Sequence, residues 1–160
     1  MRLVLVAVGR LKAGPERELV TRYAERFTAL GRGLGLSGPV LAEIAESAAR
    51  RPEDRKAEEG RAIAARLGAG HPLILFDEGG AMPDSEEFAA RLAAWRDAGA
   101  AGLDLAIGGA DGLAADLRQR ADLALAFGRM TLPHQLVRVL ALEQLYRAAT
   151  ILAGHPYHRV

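Results

Sequence analysis

The stretch Leu103-Asp104-Leu105-Ala106-Ile107-Gly108-Gly109-Ala110-Asp111-Gly112 decides the fold. A short, mostly apolar run ends in a turn carrying three glycines, and residues 113–120 then read as a helix. A run of this length bounded by glycine fits a strand buried on both faces. Strand, glycine turn and helix together form the repeating unit of a sheet whose parallel strands are joined by helical crossovers.

The unit recurs in both directions from this point. At the start, residues 3–8 are an apolar strand closed by Gly9. Residues 16–30 carry Leu19, Val20, Tyr23, Phe27 and Leu30 at three- and four-residue spacing, which predicts a helix, and Gly31, Gly33 and Gly35 end it. Residues 40–44 predict a second strand, 46–55 a polar loop and 56–67 a helix. His71-Pro72 stops the chain before a third strand over 73–76, and Asp77-Glu78-Gly79-Gly80 turns out of it. Asp84 with Glu87 three positions later is a helix start with a capping pair, and Phe88, Leu92 and Trp95 mark that helix's inner face. Downstream, residues 122–127 predict a fifth strand leading to Gly128. Pro133 stands where a first helical residue belongs, and the last helix runs to about Leu152. The expected architecture is a single α/β domain over residues 1–160, with a mostly parallel sheet flanked by helices.

Composition bounds the function. At 160 residues with half of them hydrophobic, the chain can bury one substantial core, and a second domain is not expected. No stretch approaches the roughly 18 to 20 apolar residues of a membrane span, and the apolar start is too short for a signal peptide, so a cytoplasmic protein is expected. The absence of cysteine excludes disulfides, thiolate metal sites and cysteine nucleophiles, and the four histidines fall into no recognised ligand spacing, so no metal is expected. A formal net charge of +1 gives no sign of a polyanionic partner. Only Lys12 and Lys56 are lysines; arginine supplies the other cations, which suits bidentate contacts to phosphate or carboxylate, although an arginine-rich composition explains the bias equally well.

Three glycine-bearing turns follow three apolar strands, at 77–80, at 108–112 and at Gly128. In parallel α/β sheets ligands collect beyond the carboxyl ends of the strands, so these turns can converge on one pocket. Each alone reads as an ordinary tight connection. The 108–112 turn is not Gly-x-Gly-x-x-Gly and does not follow the first strand, which disfavours a nicotinamide cofactor; no Lys-Ser or Lys-Thr follows it, so it is no P-loop. The tail His155-Pro156-Tyr157-His158-Arg159 gathers side chains that stack on bases, move protons and hold phosphates, while a polar chain end also frays readily. His134 at the last helix's start is a candidate base, and Arg138 lies one turn on, on the same face. Glu143 and Arg147 read as an ordinary helix ion pair without chemistry. The last helix has a wide apolar face, from Leu136 and Val137 through Val139, Leu140, Leu142 and Leu145, broad enough for both a core and a partner.

Taken together, Ile107-Gly108-Gly109-Ala110-Asp111-Gly112-Leu113, Met130-Thr131-Leu132-Pro133-His134-Gln135, Val137-Arg138-Val139, Glu143-Gln144-Leu145-Tyr146-Arg147-Ala148 and His155-Pro156-Tyr157-His158-Arg159 resemble the ribosomal RNA large subunit methyltransferase H family of the SPOUT superfamily. The opening strand and the pair Glu59-Gly60 also match, so the resemblance spans the chain. It implies a C-terminal trefoil knot, where the general rules of chain connection give an unknotted sheet. It further implies a homodimer that uses S-adenosylmethionine to methylate N3 of a pseudouridine in ribosomal RNA of the large subunit. Carried onto this chain, the cofactor site falls on Leu75, Phe76, Gly108, Gly109, Gly128, Arg129, Met130, Thr131, Leu132 and Pro133. Phe76 stands where the family usually has leucine, and Ala81 where lysine often stands.

His134, Arg138, Tyr157, His158 and Arg159 form the expected catalytic set, the tail acting in the partner's pocket. The near-neutral charge predicts recognition of an assembled ribosomal particle over free RNA. A SPOUT enzyme acting on transfer RNA and a non-catalytic nucleotide-binding module on the ribosome are the competing readings.

Overall fold

The computed structural model describes residues 1–159. Five parallel strands form one sheet in the order β2-β1-β4-β3-β5, made of β1 (Arg2–Val8), β2 (Ser37–Ile44), β3 (Leu73–Ala81), β4 (Gly102–Ile107) and β5 (Leu123–Leu125). The helices are α1 (Pro15–Gly31), α2 (Pro52–Ala64), α3 (Ser85–Asp97), α4 (Ala115–Arg120) and α5 (His134–Leu152). All six residues of β4 are buried, as a strand covered on both faces requires.

Alternation along the strands divides the core in two. Leu3, Leu5, Ile74, Phe76, Leu103, Leu105 and Ile107 face α1, α3 and α5. Val6, Val8, Leu73, Leu75 and Ala106 face the opposite way, with Ile63 of α2 and Leu117 of α4. Helix α5 is the most enclosed helix, with Ala141, Leu142, Leu145, Ala148 and Ala149 fully buried between α1 and α3. Asp84 caps α3 through the predicted capping box, accepting from the Glu87 amide at 2.8 Å while Glu87 accepts from the Asp84 amide at 2.9 Å.

Several boundaries differ from the sequence expectation. Helix α2 begins at Pro52, inside the segment expected to be a loop, because a first-turn proline loses no helical hydrogen bond and Glu53 and Asp54 complement the helix dipole. Strand β3 continues through the expected turn at 77–80. It regains β5 after an irregularity, Ala81 opposite Leu125, with the Ala126 amide donating to Ala81 at 2.8 Å. That approach needs Gly80, since a Cβ there would lie 2.6 Å from the backbone of Ala124. Strand β2 starts at Ser37, earlier than expected, whereas β5 is shorter and α4 starts later, at Ala115. Pro133 caps α5 in extended conformation, so His134 is its first residue.

Candidate active site

Two of the expected glycine turns, at 108–112 and at Gly128, meet residues 76–78 of β3 at one edge of the sheet, while the glycines at 79 and 80 stay within β3 and outside the lining. Phe76 to Glu78, Ile107 to Leu113 and Leu125 to Gly128, together with Met130 to Pro133, enclose a cavity of about 650 Å³ whose remaining walls are Arg118, His134 and Val137. That size lies within the usual range for a small-molecule site. Phe76 stacks on Phe127 with ring centroids 5.3 Å apart and planes at 17°, giving the cavity a flat apolar wall.

Two glycines serve the cavity in different ways. The Gly112 amide donates to Gly109 at 3.0 Å, closing the turn after β4, and a Cβ on Gly109 would stand 2.7 Å from a carboxylate oxygen of Glu59. Gly128 has open space about it but a φ of 147°, a conformation that L side chains rarely adopt. The turns are tied to one another and to the helices. Thr131 donates to Glu78 at 3.0 Å, Arg118 to Asp77 at 2.5 Å, and Arg55 makes a bidentate pair with Asp111 at 2.6 and 2.9 Å. The bond to Arg55 holds the Asp111 carboxyl below its usual range, and the same bond raises the Arg55 guanidinium. Asp77 and Asp111 thus have cationic partners, while Glu78 has only a hydroxyl, leaving the lining with an excess of negative charge that suits a cationic ligand.

Of the residues expected to hold a cofactor, Phe76, Gly108, Gly109, Gly128, Met130, Thr131, Leu132 and Pro133 line the cavity. Leu75 does not. It is fully buried on the opposite face of the sheet beside Ile63 and Leu117, because neighbouring strand residues point to opposite sides. Arg129 is exposed and outside the lining.

The expected catalytic set is divided. His134 is in the cavity wall. Arg138 is only 3% exposed and lies off the wall, donating to the carbonyls of Val8 at 2.5 Å and Gly9 at 2.8 Å and to Glu43 at 3.1 Å. Burial lowers its pKa, which Glu43 partly offsets. Tyr157 and His158 lie against the second half of α5, at Glu143 and Arg147, about 14 to 20 Å along the helix axis from His134 at a rise of about 1.5 Å per residue. Arg159 is exposed and makes no hydrogen bond or ion pair among the described residues.

Glu143 and Arg147, read from sequence as a plain helix pair, anchor the tail. Arg147 donates twice to Glu143 at 2.6 and 3.1 Å and lies 4.9 Å from the Tyr157 ring centre. No sequence signal separated this pair from any other at that spacing. Among the described residues, no group of three or more His, Asp or Glu side chains gathers in a way that could hold a metal, and no helix is long and apolar enough to cross a membrane.

Residues 1–158 match the family described as predicted SPOUT methyltransferase. The chain is 63% identical to a Methylobacterium protein (strain 4-46) over 99% of this chain and 98% of that one. It is 61% identical to a Methylobacterium nodulans protein, again over 99% and 98%, and 60% identical to one from Xanthobacter autotrophicus over 99% of each. All three relatives carry the name ribosomal RNA large subunit methyltransferase H.

Proposed function

The chain belongs to the SPOUT methyltransferase family, and from that premise we propose that it transfers a methyl group from S-adenosylmethionine to N3 of a pseudouridine in large-subunit ribosomal RNA. The observation that carries this reading is the convergence of residues 76–78 of β3 with the turns after β4 and β5 on one cavity.

The lining fits the donor. Phe76 and Phe127 offer a flat apolar surface for a base, and Gly108 and Gly109 let backbone groups approach a ligand without side chains between. Gly128 and the run from Met130 to Pro133 complete the holding residues. The carboxylates around the mouth complement a cation. When bound, S-adenosylmethionine supplies a methyl group on a positively charged sulfur.

The chain's own task is to hold the acceptor nitrogen in line and to remove its proton. The His134 imidazole in the cavity wall is placed to accept that proton. Arg138 acts through position, fixing the first turns of α5 to the end of β1 so that His134 faces the cavity. Tyr157, His158 and Arg159 contribute acceptor contacts from a second copy of the chain, because none of them lines the cavity of their own chain.

The homodimer follows from that division. Met82, Met130 and Leu136 are exposed, at 59, 82 and 42%, and Met130 stands on the cavity wall, so apolar surface borders the site. Antiparallel pairing of two α5 helices brings the tail of each to the His134 end of the other. The same proposal includes the C-terminal trefoil knot and a cytoplasmic site of action on assembled ribosomal particles, since a net charge of +1 is small for gripping free RNA.

The test is methyl transfer from labelled donor to ribosomal subunits lacking the modification, to a bare hairpin and to transfer RNA, followed by mass mapping. Transfer to one pseudouridine of the large-subunit RNA is the expected result. Methylation of transfer RNA instead, or donor binding without transfer to any RNA, overturns the proposal.

A further inference from the structure

Helix α2 is fastened to the turn after β4 at three places. Arg55 binds Asp111, Glu59 lies behind Gly109, and Gly60 meets Ala114 so closely that a Cβ on Gly60 would stand 2.7 Å from it. The same helix also holds the segment that precedes it. Arg55 donates through its remaining terminal nitrogen to the carbonyls of Ala49 at 3.1 Å and Arg50 at 2.9 Å. Glu59 accepts from the Ser47 amide at 3.0 Å, and the Ser47 hydroxyl bonds to Glu58. Glu59 is 6% exposed, and its second oxygen, the one against Gly109, has no hydrogen-bond partner.

We infer that Arg55 is a positioning residue for cofactor binding, one guanidinium that joins residues 45–51 to the cofactor turn so that order in either favours order in the other. This rests on the methyltransferase reading above and extends it to residues outside the cavity lining. The physical reason is the geometry of the fork. Its Nε and one terminal nitrogen fix the carboxylate of Asp111 in a plane, while the other terminal nitrogen fixes two carbonyls of the incoming chain. A turn thus held offers its backbone to a ligand at lower ordering cost, and by linkage a bound ligand stabilises whatever holds the turn. Residues 50 and 51 are exposed arginines in a segment beside the carboxyl end of β2, so the ordered segment presents cations on the same sheet edge as the cavity. Lysine at position 55 keeps the charge but cannot span three acceptors in one plane.

The experiment uses the full chain with Arg55→Gln, Arg55→Lys, Asp111→Asn and the double variant Arg55→Gln/Asp111→Asn. Calorimetry reads S-adenosylmethionine affinity, thermal melting reads stability, and limited trypsin digestion at Arg50 reads order in the segment. Wild type must bind first, and absence of binding there defeats the methyltransferase reading instead of this one. Arg55→Gln and Asp111→Asn should each weaken the donor roughly tenfold, the loss expected for a charge-assisted bond, and the double variant should do no worse than the weaker single. Saturating donor should slow cleavage at Arg50 in wild type and leave it unchanged in Arg55→Gln. Arg55→Lys should restore only part of the affinity. Equal affinity in all variants, additive losses in the double variant, or donor protection of Arg50 that persists without Arg55 overturns the inference. Phe27→Leu, far from the turn in α1, supplies a destabilised control whose affinity should not move.

Discussion

Tyr157 donates its phenolic hydrogen to Glu143 Oε1 at 3.1 Å, and that oxygen is also held by Arg147 at 2.6 Å. Tyr157 further packs on Tyr146 with ring centroids 4.7 Å apart, and His158 approaches both Arg147 and Glu86. The tail of this chain is therefore docked, not frayed, along the second half of α5 and outside the cavity lining.

Truncation after Gly154 should abolish methylation while donor affinity stays within a few-fold of wild type, because none of the deleted residues that the structure describes lines the cavity. Mixing this truncated chain with a full-length Gly128→Val chain, disabled in its own cavity, should restore activity through mixed dimers. Failure of the mixture with both chains folded and paired would show that the tail acts elsewhere.

The Tyr157 phenol has its pKa raised above 10.0 by burial, with hydrogen bonding to Tyr23 and the Glu143 charge adding to the effect. The folded state thus favours the protonated phenol. Its contribution is fully present below pH 10 and is lost as pH rises through the higher folded value. The tyrosinate titration of wild type minus that of Tyr157→Phe should accordingly show an ionisation above pH 10. A midpoint at the ordinary value would mean that the tail is not docked in solution.

Arg138→Met should cost stability, and rate through the lost placement of His134. The substitution leaves the carbonyls of Val8 and Gly9 without their donor in a buried place, a loss of about 3 kcal/mol. Melting should fall by several degrees while the folded protein keeps its donor affinity. Lost turnover with unchanged melting would instead place this guanidinium on the substrate.

Gly109→Ala presses a methyl group against Glu59 and, at 3.1 Å, against Val8. Glu59 cannot swing aside cheaply, since its other oxygen holds the Ser47 amide. The expected result is a loss of about 1–3 kcal/mol in stability and weaker donor binding, read by melting and calorimetry. Wild-type values for both would show that the turn yields freely.

The sequence and the structure agree most closely where periodicity and glycine do the work. The apolar run of β4, the capping box at Asp84 and Glu87, and the turns beyond β4 and β5 were legible, because each depends on residues close together in the chain. What was not legible depends on partners distant in sequence. Nothing local marks Arg55 as the partner of Asp111, 56 positions away, and its place in an apparent loop concealed the helix that Pro52 starts. Arg138 reads as a surface arginine until β1 supplies two carbonyls to it from about 130 positions away. Leu75 and Phe76 are adjacent and apolar, and only the register of β3 between β4 and β5 decides which one faces the cavity. The continuation of β3 past Asp77 was hidden for a similar reason, since two glycines in succession look like a turn until a neighbouring strand comes close to one of them.

The proposed chemistry needs one cavity, built from residues 76–78 of β3 and the turns after β4 and β5, that holds the sulfonium donor. Calorimetric titration of the purified chain with S-adenosylmethionine tests this most directly, run beside Gly109→Ala and Gly128→Val. Saturable binding at one donor per chain, weakened by both substitutions, is the predicted result. No measurable binding to the folded wild type, or binding that neither substitution weakens, would contradict it.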